Sequence, residues 1–195
     1  MPRAPRRRSF IISGMDSLRG KLLVATPAIA DPSFFRTVLL IGHHDEQGAL
    51  GLVLNRPSDA QVAEAAPPLA DVAGEDGLLY LGGPVTPEGV VVVAEFEDEQ
   101  DAALLAFGNV GVPSARVDLE RLPEVTERTR VYAGHAGWGP GQLDEEMERE
   151  DWIVAEADAD VVFSEDAEDM WASVLRRLGG SYAILATMPP DPSVN

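Results

Sequence analysis

The chain has no cysteine, which excludes disulfide bridges, thiol nucleophiles and thiolate metal sites within it. It also has no hydrophobic run approaching the roughly 20 residues that a membrane-spanning helix needs. Its opening, Met1 to Ile12, carries four arginines, but the apolar part is broken by Ser13 and Gly14. That is too short for a secretion signal, so a cytoplasmic location with no membrane contact is expected. Basic residues are scarce: 15 Lys and Arg face 33 Asp and Glu, for a net charge of -18. Arg3, Arg6, Arg7 and Arg8 precede the first acid, Asp16, so the rest of the chain holds 11 basic residues against 33 acidic ones, or -22. Such a body repels phosphate backbones, and direct nucleic-acid binding is disfavoured. Only three histidines are present. His43 and His44 are adjacent and point to opposite faces of a continuing strand, and no ligand spacing recurs, so neither a metal nor a cofactor is expected.

What remains is enough for a core: 195 residues, 45% of them hydrophobic. Residues 1–17 read as a basic, disordered extension, with Met15 an alternative start, and residues 18–195 as a single domain. Strands are expected at 18–26, 37–43 and 49–54, the last two in hairpin spacing around His44 to Gly48. The 37–43 strand is apolar on both faces, which argues for a central position covered on both sides. Pro57 is expected to stop strand pairing and Ser58 to cap a helix over 59–66, resuming weakly to Val72. Further strands follow at 78–81 and 90–96, a modest helix at 98–107, and short edge strands within 110–122. A strand over 129–136 runs into a glycine loop and a helix over 142–150, then a strand over 152–156. Ser164 reads as the cap of a helix ending at Gly179-Gly180, and 181–187 as a final strand. Strands outnumber helices and two are joined as a hairpin, which favours an α+β domain with a mixed, mostly antiparallel sheet over a doubly wound one.

The densest signal is the stretch Val131 to Leu143, with glycines at 134, 137, 139 and 141 and one tryptophan, Trp138. Glycine adds no buried area and loses most entropy on ordering, so this backbone must turn sharply or be approached closely. Free N–H groups before the helix suggest an anion site, but Asp144, Glu145 and Glu146 in its first turn would repel phosphate, and no P-loop lysine is present. Asn55-Arg56-Pro57 offers directional donors for a carboxylate or a carbonyl. Alternatively, Asn55 ties down the turn and Arg56 pairs with one of the many acids.

Several segments together resemble the YqgE/AlgH family of small bacterial proteins. They are Gly20 to Pro27, Asp31-Pro32-Ser33-Phe34, Thr37-Val38, His44, Gly48 to Pro57, Gly82-Gly83-Pro84-Val85, Ala136 to Leu143, Trp152 and the Asp191-Pro192-Ser193 ending. The match runs in order from about Leu18 to Asn195; the departures are the basic extension and His135, where an aromatic such as tyrosine is expected. The resemblance implies an α+β fold whose bent sheet closes into a pseudo-barrel flanked by helices, and a cytosolic location. It implies no biochemical activity, although some members carry the label of transcriptional regulator.

The expected function is therefore a non-enzymatic regulatory or binding domain for a small molecule or a protein. Its cleft is expected where Asp31, His44, Asn55, Arg56, Gly83, Pro84, Gly137, Trp138, Gly141 and Gln142 converge. One rival is an enzyme acting on a small polar metabolite, with His44 as general base and Arg56 as anion clamp. Another is a scaffold whose acidic helices, over 143–150 and 165–177, bind a basic protein.

Overall fold

The computed structural model describes residues 17–74 and 76–189. The arginines at the start of the chain, Met15 and the Asp191-Pro192-Ser193 ending lie outside them. The strands are β1 (Lys21–Ala25), β2 (Val38–Asp45), β3 (Gly48–Val53), β4 (Pro57–Gln61), β5 (Leu78–Leu81), β6 (Val85–Phe96), β7 (Ala102–Phe107), β8 (Val110–Pro113), β9 (Thr126–Trp138) and β10 (Trp152–Glu156). The helices are α1 (Val62–Ala65), α2 (Ala70–Ala73), α3 (Gln142–Glu148), α4 (Ala159–Val162), α5 (Met170–Leu178) and α6 (Gly180–Leu185).

The sheet order is β10-β1-β2-β3-β9-β6-β8-β7, antiparallel throughout. β5 adds to β9 in parallel, and β4 pairs with β5. The result is an α+β domain whose strongly curled sheet forms a half-barrel flanked by helices. Curling brings β7, at one end of the strand order, back toward the start of β1, where the Arg19 guanidinium donates to the Leu105 carbonyl. β9 is the spine: its first part pairs with β6, its last three residues with β3.

The apolar strands β1 and β2 divide their side chains between two cores, as alternation requires. Leu22, Val24, Val38 and Leu40 face α5 through Trp171, Val174 and Leu175. Leu23, Ala25, Leu39 and Ile41 face Trp138, Leu143 and Trp152. A third cluster under α1 and α2 gathers Val62, Val72, Phe96, Leu122 and Val131. Burying both faces explains why β2 reads as a continuous hydrophobic run.

Five expectations are corrected. Pro57 opens β4 instead of ending strand pairing, because the first residue of an edge strand needs no N–H for the ladder; the helix behind it shrinks to the single turn α1. The 98–107 segment is a 3-10 turn followed by β7, because Gly108-Asn109 makes a two-residue hairpin onto β8. The helix expected from Ser164, α5, starts at Met170, six residues later. Arg130 donates to the Val162 and Ser164 carbonyls at 2.9 Å each, which holds that stretch in turns. The 181–187 run is α6, folded back on α5 after Gly179 and Gly180, both at positive φ. Finally, the glycine stretch is mostly strand: β9 continues through Gly134 and Gly137 to Trp138, and only residues 139–141 turn.

Candidate functional site

Where β9 meets α3, the polar groups bind one another. Trp138 is 7% exposed, and its indole N–H donates to Glu146 Oε2 at 2.8 Å. The Trp152 indole donates to the same oxygen at 2.8 Å, and the two rings meet edge to face at 6.2 Å. Gln142 donates its amide to Glu146 Oε1 at 3.0 Å and accepts the Gly139 N–H at 3.1 Å. Gly141 sits at φ 73, the left-handed entry to α3, with nothing within 4 Å of an added Cβ. The close approach expected at Gly134 is made by the chain itself: a Cβ there would lie 2.4 Å from the Gly83 carbonyl oxygen, and one on Gly83 would lie 2.2 Å from the His135 carbonyl carbon.

His44 is equally committed. Its side chain is 8% exposed. Nδ1 accepts the Leu18 N–H at 3.1 Å, and Nε2 lies 3.6 Å from Asp144 Oδ1, which is buried with no hydrogen-bond partner among the described residues. As an acceptor Nδ1 carries no proton, and the ring ties Leu18 to the start of α3. His43 points the other way, 2.9 Å from Asp45, in the open. Among the described residues no group of three or more His, Asp or Glu could hold a metal ion.

The opposite end of β3 is built differently. Asn55, 5% exposed, accepts the Val38 N–H at 3.0 Å through Oδ1 and donates from Nδ2 to the Arg36 carbonyl at 3.0 Å. It thus staples the start of β2 to the end of β3. Asp31 makes the preceding turn, accepting the Ser33 N–H at 2.8 Å with its side chain and the Phe34 and Phe35 N–H groups with its carbonyl. Arg56 is half-buried and donates to the carbonyls of Asn55, at 3.2 Å, and Phe35. Among the described residues it has no carboxylate partner. Burial holds its guanidinium below the ordinary arginine value.

Arg56 lines two clefts. One, of about 360 Å³, joins it to Pro32, Ser33, Gly83, Pro84 and Pro87. The other, of about 530 Å³, joins it to Phe35, Arg36, Asn55, Trp171 and Arg176, with Glu168 and Asp169 on the rim. Of the ten expected site residues, Arg56, Gly83 and Pro84 therefore share a cleft beside the Asp31 turn, and Asn55 lies on the second cleft. His44, Gly137, Trp138, Gly141 and Gln142 line neither.

The sequence reading missed Arg36, Trp171 and Arg176. Arg36 is a non-glycine residue at φ 53, a conformation that costs about 1–2 kcal/mol. Its guanidinium stacks 4.2 Å above Trp171 and donates from Nη2 to the Met188 carbonyl at 3.0 Å. Nη1 is buried without a partner among the described residues, and burial lowers this pKa too. Trp171 is itself anchored, donating to the Ala25 carbonyl at 2.8 Å. A signal existed: Arg36 is a cation set between Phe34-Phe35 and the apolar β2, and it lies between two of the segments that carry the family resemblance.

Comparison with known proteins places this geometry in a family. A UPF0301 protein of Streptomyces avermitilis is 44% identical over 193 residues, covering 94% of this chain and all of that one. A UPF0301 protein of Rhodococcus jostii is 39% identical over 177 residues, 88% of each chain. Among solved structures, a crystal structure of a Corynebacterium diphtheriae protein superposes with a TM-score of 0.80 at 30% identity, covering 90% of this chain and 94% of that one. The solution structure of the AlgH protein from Pseudomonas aeruginosa gives 0.70 at 30% identity, covering 91% and 97%. With the AlgH-like family model matching residues 22–183, the chain belongs to the AlgH-like, UPF0301 family.

Proposed function

We propose that this protein is a non-enzymatic binding domain and that its ligand-binding surface is the Arg56 junction, not the Trp138 turn. The observation that carries this reading is the uncompensated charge. In a chain with 33 acids, Arg56 is half-buried and, among the described residues, bonded only to main-chain carbonyls. A half-buried cation without an acid costs free energy that a bound partner recovers. Concavity adds support, since clefts open on both sides of this residue. The enzyme alternative finds less support, because its general base, His44, spends Nδ1 on the Leu18 N–H.

A thermal-shift screen against metabolites, nucleotides and short peptides tests the reading. A ligand that stabilises the wild type and Gln142→Ala but not folded Arg56→Gln is the expected result. A ligand lost in Gln142→Ala and kept in Arg56→Gln would move the site to the Trp138 turn. If nothing binds, the acidic scaffold takes precedence; it is favoured by the run of acids on α3 and predicts a basic partner held less tightly as salt rises.

A further inference from the structure

The larger cleft carries a more specific assignment, which rests on the binding reading above. The geometry points to a monocarboxylate with an apolar body as its ligand, the carboxylate held between Arg36 and Arg56 and the body lying along Phe35, Pro57 and Trp171.

Charge sets the valence. Three guanidiniums line the cleft, Arg36, Arg56 and Arg176, together with two acids, Glu168 and Asp169. Arg176 is paired with Asp169. Among the described residues Arg36 and Arg56 then have Glu168 alone, which leaves one positive charge to neutralise. A monoanion closes that balance, whereas a dianion or a polyphosphate overshoots it and meets Glu168.

Donor geometry sets the group. Among the described residues Arg36 Nη1 has no partner, but it is shut off from solvent, so Arg36 offers the cleft its charge while its Nη2 and the Trp171 ring fix the plane of the guanidinium. Arg56 is fixed by the Asn55 and Phe35 carbonyls. A planar, pre-oriented guanidinium such as that of Arg56 suits a planar carboxylate, to which it donates short charge-assisted bonds, with the Arg36 charge beside it. The strained backbone of Arg36 is held by Asn55, whose amide donates to its carbonyl, so the site is assembled before any ligand arrives. The remaining walls, Phe35, Pro57, Trp171, Ala172 and Ala186, are apolar or aromatic. About 530 Å³ is room for a ligand well beyond acetate.

The test is calorimetric titration of the full chain with phenylacetate, phenyl phosphate and the neutral 2-phenylethanol at matched ionic strength. Phenylacetate is expected to bind, and the alcohol at least about tenfold more weakly. Arg36→Gln and Arg56→Gln, each checked for an intact melting transition, are expected to lose about tenfold in phenylacetate affinity, while surface Arg121→Gln leaves it unchanged. Glu168→Gln is expected to raise affinity roughly threefold, a gain that damaged folding cannot produce. Equal binding of the alcohol, tighter binding of phenyl phosphate, or insensitivity to both arginines would overturn the assignment. A ligand from the broad screen that needs Arg56 but is not a carboxylate would overturn it too, and would leave the binding reading standing.

Discussion

The two ends of β3 use polar side chains in opposite ways. At its start, where Ala49 pairs with Trp138, two indoles and an amide converge on the single carboxylate of Glu146, and what is left over is a buried acceptor, Asp144 Oδ1 beside His44. At its far end, Asn55 is fully used, but among the described residues Arg36 keeps a buried N–H without a partner and Arg56 keeps a charge without a counter-charge. The glycine-rich end resembles a binding loop in sequence and acts as a fastening in the structure. The plainer end, built from an arginine pair and a tryptophan, is left with unmet bonding capacity, and unmet capacity is what a ligand can use.

The contrast can be broken by ranking variants on stability. Trp138→Ala should be the most damaging, because it removes a buried indole shared with Leu39, Ile41 and Trp152; a loss of about 3–5 kcal/mol in urea denaturation is expected. Glu146→Ala should follow at about 2–3 kcal/mol, since two indole N–H groups lose their acceptor. Gly141→Ala should cost only about 1 kcal/mol, because the glycine serves a left-handed φ of 73 and an added Cβ would meet nothing within 4 Å. Arg56→Gln should change stability least, by under about 1 kcal/mol: lost carbonyl bonds are offset by relief of a desolvated charge. The account sharpens if the order reverses for phenylacetate binding, with Arg56→Gln losing most and Gly141→Ala nothing. A large destabilisation by Arg56→Gln would instead make that arginine a structural fastening like Glu146.

Much of the fold was legible because its physics is local. The β2–β3 hairpin, the two-sided burial of β2 and the 152–156 strand follow from hydrophobic pattern and turn residues alone. The errors came where distant groups decide. β7 reads as a helix because Ala-Ala-Leu-Leu-Ala-Phe has no alternation, and only pairing with β8 makes it a strand. The turns before α5 depend on Arg130, more than thirty residues away, taking two carbonyls. The site was partly legible for the same reason. Arg56 stands out as a cation at a strand end, and its grouping with Gly83 and Pro84 follows matched segments. The partnership of Arg36 with Trp171 joins residues 135 positions apart through a stacking contact that no local pattern announces. Trp138 is ambiguous in sequence, because a tryptophan among glycines has the same spelling whether its ring covers a ligand or packs against a neighbour such as Trp152.

Three tryptophans divided between the two ends give a direct readout of which end binds. Trp138 and Trp152 donate to Glu146, and Trp171 lies beneath Arg36. Following the three indole N–H signals by proton–nitrogen NMR during a phenylacetate titration tests the central claim. The account predicts that the Trp171 signal moves saturably while the other two stay in place. Movement of Trp138 or Trp152 with a stationary Trp171 would contradict it and return the site to the glycine-rich turn.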